Sequence, residues 1–244
     1  LGDEDAIPMS GGQTLLPTMK ARLAQPTKVI DLSGMAELSG ITVAPASVTI
    51  KGATRHVMVE QSPQVRSVFP ALADLAGGIG DPQVRNRGTI GGSVANNDPA
   101  ACYPSACLGT GATIHTNARQ IAADDFFQGM FDTALEEGEL VTGVTFPIPE
   151  RANYQKFVQP ASRFALVGVF VAKFADGVRV AVTGASEGGV FRWSDAEAAL
   201  SANYSPDAVP AAPPADGMIG DIHGTPEYRA HIVHVMTKRA VAAS

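Results

Sequence analysis

Two glycine pairs constrain this chain more than any other feature of it. The first stands in Ser10-Gly11-Gly12-Gln13-Thr14-Leu15-Leu16-Pro17, and the second in Arg87-Gly88-Thr89-Ile90-Gly91-Gly92-Ser93-Val94-Ala95-Asn96-Asn97-Asp98-Pro99. Adjacent glycines let a backbone take positive φ and bring amide N–H groups close to an anion. Ser10, Gln13 and Thr14 rim the first turn with side-chain donors. Thr89 and Ser93 rim the second, and Asn96 and Asp98 beyond it suit the hydroxyls of a ribose or ribityl chain. The Gly-x-Gly-x-x-Gly spacing of a Rossmann turn is absent, and so is a Walker sequence. The residues alone therefore reach a diphosphate-bearing ligand held by backbone amides, with plain tight turns as the other reading.

Composition narrows the partners. A formal net charge of −6 leaves no basic footprint for nucleic acid. No apolar run approaches the roughly 20 residues that span a bilayer. Cys102 and Cys107 are the only cysteines, which excludes a disulfide framework and a four-thiolate iron–sulfur site within the chain. Each is expected as a small buried hydrophobe. Two free thiols and no signal-peptide pattern point to the cytoplasm. Residues 1–5 read as a loop after a helix, as though a first strand and helix preceded them.

The remaining polar residues have plainer readings. His115, His223, His231 and His234 are scattered, with no ligand set for a metal. Asp124-Asp125 reads as a helix start. Arg85 and Arg87 serve a diphosphate, the carboxylates of a partner, or a structural ion pair.

Periodicity places the elements. A helical stretch runs from Leu16 to Leu23, and Val29–Leu32 reads as a short buried strand. Ile41–Val43 and Val48–Lys51 read as a hairpin. Ser62 and Pro63 open one amphipathic helix through Val65, Val68, Phe69, Leu72, Leu75 and Ala76, closed by Gly77-Gly78. Residues 80–104 read as a long irregular loop. A short helix (Ser105–Gly109) and strands at Ala112–His115 and Leu140–Phe146 follow. The texture changes after Pro147-Ile148-Pro149, which sets a domain boundary between 1–150 and 151–244. Beyond it come an apolar strand Ala165–Phe174, an Asp176-Gly177 turn, a returning strand Val178–Thr183, a helix Asp195–Ala202, a Pro/Ala-rich loop and a closing helix capped by Thr225.

The two glycine segments also resemble a known family. Ser10–Pro17 followed by Ile30-Asp31-Leu32, and Asp81-Pro82-Gln83-Val84-Arg85-Asn86-Arg87-Gly88-Thr89-Ile90-Gly91-Gly92, look like the two FAD motifs of molybdopterin dehydrogenase flavin subunits. That family includes carbon monoxide dehydrogenase medium subunits, the nearest in pattern, and the flavin domain of xanthine dehydrogenase. The likeness continues in Tyr154–Phe157, Pro160–Ala165 and Glu227–Ala230.

The resemblance implies an α+β fold. A two-part FAD-binding domain of the vanillyl-alcohol oxidase type would lead into a small α+β C-terminal domain. It implies non-covalent FAD, with Ser10, Gly11, Gly12, Gln13, Thr14 and Leu15 and with Thr89, Ile90, Gly91, Gly92 and Ser93 along the diphosphate. Asn96 and Asp98 would reach the sugar-like portions. Phe164 would either stack on the flavin ring or pack in the core. Cys102 stands where relatives commonly carry an acid, so one polar contact to FAD would weaken.

Partners follow from the same likeness. They are a large molybdenum-cofactor subunit and a small subunit with two two-iron two-sulfur clusters, in a dimer of heterotrimers that feeds an external acceptor. No residue of this chain would then act as acid or base on the primary substrate. The alternatives are a self-sufficient FAD oxidoreductase of the same superfamily and an assembly module without FAD.

Overall fold

The computed structural model describes residues 6–244, so the loop expected over residues 1–5 lies outside the described residues. β1 (Ala6–Met9) and β2 (Lys28–Asp31) pair in parallel across α1 (Leu15–Lys20). The strand expected to be buried is not: Val29 and Ile30 are each 38% exposed. A two-stranded sheet has too little area to build a core, and α1 has no buried residue.

β3 (Ile41–Ala44) and β4 (Ser47–Lys51) form the expected antiparallel hairpin. α2 (His56–Glu60) follows. The single amphipathic helix expected next is two helices, α3 (Pro63–Val68) and α4 (Pro70–Gly77). Pro70 has no amide and crowds the residue before it. Phe69 accordingly sits at φ −147°, ψ 65°, and the axis breaks there. The apolar stripe survives the break, with Val65, Phe69, Leu72, Leu75 and Ala76 all buried. Ser62 caps α3 by accepting from the Val65 amide.

The expected irregular loop holds two further helices, α5 (Pro82–Arg85) and α6 (Ile90–Asn96). Both are too short to show a period. Asp81 caps α5 through the Val84 amide at 2.8 Å. α7 (Tyr103–Thr110) has every residue buried. Then come β5 (Thr113–Thr116), β6 (Gln120–Ala122), α8 (Ala123–Phe126), β7 (Phe127–Gly129), β8 (Asp132–Thr133) and β9 (Val141–Pro147).

One antiparallel sheet runs β3-β4-β9-β5-β6. Its inner face carries Val48, Ile50, Ile114, Val144 and Phe146, none with exposed surface. The other face carries a row of Thr42, Thr49, Thr145 and Thr113. This alternation is what a half-buried sheet requires.

The C-terminal sheet runs β10 (Arg151–Val158), β11 (Ala165–Phe174), β12 (Gly177–Thr183) and β13 (Phe191–Arg192), all antiparallel. β10 has no clear strand signal in the sequence, because its alternation is weak. α9 (Ser194–Ala202) and α10 (Pro226–Ala243) cover one face, and Thr225 caps α10 through the Tyr228 amide. On that face Val167, Val169, Val171, Val180 and Val182 pack with Leu200, Val233 and Met236. On the other face Phe170, Ala172 and Ala181 join the core that holds Phe69, Cys107 and Leu108. β11 reads as one continuous apolar run because both of its faces are buried.

Candidate functional site

The two glycine turns meet. Thr89 Oγ1 donates to Ser10 Oγ at 3.0 Å, closing a contact between residues 79 apart in sequence. Gly11 lies against the second turn so closely that a Cβ on it would fall 2.3 Å from the Arg87 carbonyl oxygen and 2.8 Å from Gly88 Cα. Gly12 takes φ +70°, the conformation glycine tolerates best. None of Gly11, Gly12, Gln13 or Thr14 donates its backbone N–H to another described residue. These amides are free to serve a ligand.

The second turn spends its amides internally. Ile90 donates to the Thr54 carbonyl at 3.2 Å, Gly91 to Gly52 at 2.8 Å and Ser93 to Thr89 at 3.0 Å. Gly92 donates to Thr89 Oγ1, which is the N-cap of α6. Ile90 is fully buried in the core. Gly91 is glycine for packing, since a Cβ there would lie 2.7 Å from the Gly52 carbonyl oxygen. The second segment therefore acts as a rigid wall for the first, presenting Thr89, Gly92 and Ser93 at its rim.

Between the turns lies a small pocket lined by Ser10, Ser33, Ala53, Arg55, Arg87 and Thr89. Arg55 and Arg87 are both exposed and form no salt bridge among the described residues. Ser33 pulls the Asp31 carboxyl below its ordinary range through its amide and hydroxyl, and Arg87 adds to this from nearby. Two guanidinium groups without a salt bridge among the described residues, beside amides that donate to no described residue, form a cationic patch suited to an anion on an acidic chain. Arg85 is different: it pairs with Glu60 at 2.8 Å and holds the Ile79 and Gly80 carbonyls. The larger concavity is lined by Glu37, Lys51, His115, Thr49, Thr142 and Thr145, with none of the expected ligand residues.

The remaining expected residues are dispersed around this centre. Leu15 begins α1 behind the first turn. Asn96 ends α6, half-buried, and Asp98 folds its carboxylate onto the Ala100 amide at 2.8 Å. Phe164 is 59% exposed, which removes core packing as its role. It is presented by a self-bonded loop in which Gln159 Oε1 accepts from the Ser162 amide and hydroxyl, with Arg163 at φ +61°. Cys102 is 4% exposed and contacts Lys156 Nζ at 3.5 Å, so burial directs the thiol to β10 and not to an open contact. Cys107 is buried as expected. Of the histidines, His234 Nδ1 bonds the Pro210 carbonyl and His115 Nε2 bonds Thr145 Oγ1. No group of three His, Cys, Asp or Glu suited to a metal occurs among the described residues.

Sequence reasoning missed Arg55, Ser33 and His56, which belong to no motif. His56 is wedged under the second turn. Its amide donates to the Gly88 carbonyl, a Cβ on Gly88 would lie 2.7 Å from its Nε2, and its ring sits 5.4 Å from Tyr103. Nδ1 is buried without a partner. Burial first, and the Arg85 charge second, depress its pKa from 6.5 to about 4. The unfolded chain therefore binds a proton that the native state refuses as pH falls from 6.5 towards 4. Stability should drop by about 3 kcal/mol across that window. Urea titrations at several pH values should show a flatter acid limb for His56→Gln. An unchanged limb would assign the acid sensitivity elsewhere.

Residues 2–149 match the family model described as the FAD binding domain in molybdopterin dehydrogenase. The nicotine 6-hydroxylase medium subunit of Paenarthrobacter nicotinovorans is 35% identical, over 98% of this chain and 89% of that one. The carbon monoxide dehydrogenase medium chain of Hydrogenophaga pseudoflava is 33% identical over the same shares. Among solved structures, quinoline 2-oxidoreductase from Pseudomonas putida 86 superposes with a TM-score of 0.87 at 26% identity, covering 99% of this chain and 90% of that one. Carbon monoxide dehydrogenase from Hydrogenophaga pseudoflava superposes at 0.86 with 32% identity, over the same shares. The chain belongs to the molybdopterin dehydrogenase FAD-binding family, and its α+β fold is that of the family's flavin subunits. No helix among the described residues is long and apolar enough to cross a membrane.

Proposed function

We propose that this chain is the electron-relay subunit of a molybdenum hydroxylase complex, holding FAD without a covalent bond and leaving substrate oxidation to another subunit. The observation that carries the reading is the meeting of the two glycine turns, pinned by Ser10 and Thr89 and flanked by Arg55 and Arg87. The amides of Gly11 to Thr14 and the two arginines would hold the diphosphate. Thr89, Gly92 and Ser93 would form its wall, with Leu15, Ile90 and Gly91 packed behind. Asn96 and Asp98 would serve the sugar-like portions, and Phe164 would lie beside the ring. FAD supplies the chemistry, accepting electrons singly and releasing them in pairs. The chain's own part is to bind and orient it.

The reading extends to the partners. A large molybdenum subunit and a small iron–sulfur subunit would deliver electrons, in a dimer of heterotrimers, and an external acceptor would remove them in the cytoplasm. Residues 1–150 would be the FAD domain and 151–244 a second α+β domain. The visible spectrum of the purified protein is the test, with acid extraction to identify the flavin. FAD bands without substrate oxidation by the isolated chain are expected. Turnover by the isolated chain would make it a self-sufficient oxidoreductase. A colourless protein that takes up no added FAD would make it an assembly module.

A further inference from the structure

Lys156 sits half-buried on β10 without a carboxylate partner among the described residues. Its Nζ donates to the Gly78 carbonyl at 2.9 Å and to Cys102 Sγ at 3.5 Å. Cys102 is 4% exposed, so the amine occupies one of few approaches to the sulfur. Tyr154 precedes Lys156 by two residues on the same strand and so shares its face. The Tyr154 hydroxyl is buried beside the same thiol and has no nitrogen or oxygen partner among the described residues. Burial holds that hydroxyl well above its usual range, so it stays a neutral donor. Cys107, five residues on and within α7, is the internal contrast. Burial pushes its thiol up, and no amine contacts it among the described residues.

We propose that Cys102 and Lys156 form an oxidant-responsive modification site, at which peroxide converts thiol and amine into a sulfur–nitrogen bond joining the start of α7 to β10. In the first step the S–H bond and the peroxide O–O bond break, a sulfenic S–OH forms, and one water leaves. In the second, Lys156 Nζ gives one ammonium proton to solvent and attacks sulfur, S–N forms as S–O breaks, and the hydroxyl departs as water with a further proton from the nitrogen. Sulfur gives up two electrons in all, and peroxide takes them. The Tyr154 hydroxyl is placed to donate to the departing oxygen. Two molecules of a thiol reductant reverse the bond and leave as a disulfide. Reduced flavin in contact with dioxygen releases peroxide, so the oxidant supply rests on the proposed function. The chemistry at the pair does not.

The test adds the oxidant directly, which separates it from the flavin reading. Full-length protein treated with hydrogen peroxide and digested without reductant should yield the Cys102 and Lys156 peptides joined, at their summed mass less two hydrogens. The joined species should vanish on adding a thiol. Lys156→Arg keeps a cation able to reach Gly78 but removes the nucleophile, and should send Cys102 to sulfinic and sulfonic acids. Cys102→Ser should give no joined peptide, and serves if the arginine variant folds poorly. Met58 and Met130, 43% and 41% exposed, report the oxidant dose within each sample. Two results would overturn the proposal: wild-type Cys102 gaining oxygen atoms only, or staying intact at doses that oxidise those methionines.

Discussion

Alanine at position 11 should weaken FAD binding sharply. The added methyl would stand 2.3 Å from the Arg87 carbonyl oxygen and 2.9 Å from its carbon, both backbone atoms that no rotamer change can move. The two turns must part, breaking the Thr89–Ser10 hydrogen bond. Overpacking of this kind costs about 1–3 kcal/mol, which at ~1.4 kcal/mol per decade predicts FAD binding weaker by roughly five- to 140-fold. Gly12→Ala is the useful contrast. Its φ of +70° costs ~1–2 kcal/mol for an L-residue, but the three atoms nearest its methyl belong to the Leu16 and Met9 side chains, which can swing away. Titrating flavin-free protein with FAD and following flavin fluorescence would rank the two. Should the alanine at 11 bind FAD as tightly as the wild type, the ligand does not sit between these turns.

Arg229 should give the largest loss of stability. It is 3% exposed. Its Nη1 donates to the Leu166 and Gly184 carbonyls at 2.7 and 2.8 Å, and its Nη2 to Asp221 at 2.7 Å. Those carbonyls lie where β11 begins and just after β12 ends, beside Gly184 at φ +81°. Arg229→Leu leaves two buried acceptors without donors, a cost of about 1–3 kcal/mol each before any gain from the apolar side chain. A net loss of ~2–5 kcal/mol is expected, read as a lower denaturation midpoint at unchanged m-value. Arg229→Lys should recover only part of it, because one ammonium cannot span three acceptors as a planar fork does. If both variants unfold with the wild type, Arg229 is not the tie between these strand ends.

Much of this architecture was legible because its signals are local. The β11–β12 hairpin announced itself through Asp176-Gly177 between two apolar runs, and α10 through Thr225 and Pro226. Errors arose where a neighbour overruled the pattern. The apolar stripe through Leu72 continues across Phe69, but Pro70 breaks the backbone beneath it. Val29-Ile30 has the composition of a buried strand, yet its small sheet has no core in which to bury it. The site divides in the same way. Both glycine turns could be read from spacing, but not the unequal use of their amides, which depends on Gly52 and Thr54 from another part of the chain. Arg55 and His56 carried no signal at all, since long-range packing alone brings them beneath Thr89 and Gly88.

β11 has a consequence for dissecting this molecule. The family match ends at residue 149, yet the helices inside it lean on strands outside it. Phe69 meets Phe170 edge-on at 6.2 Å, and Arg179 reaches back to the Leu108 carbonyl and to Asp124. A fragment cut at the edge of the match would present that apolar wall to water, a patch that favours aggregation. The segment matched by the family model is therefore smaller than the unit of folding. Binding studies on the truncated piece would report on a damaged surface, whatever its flavin site retained.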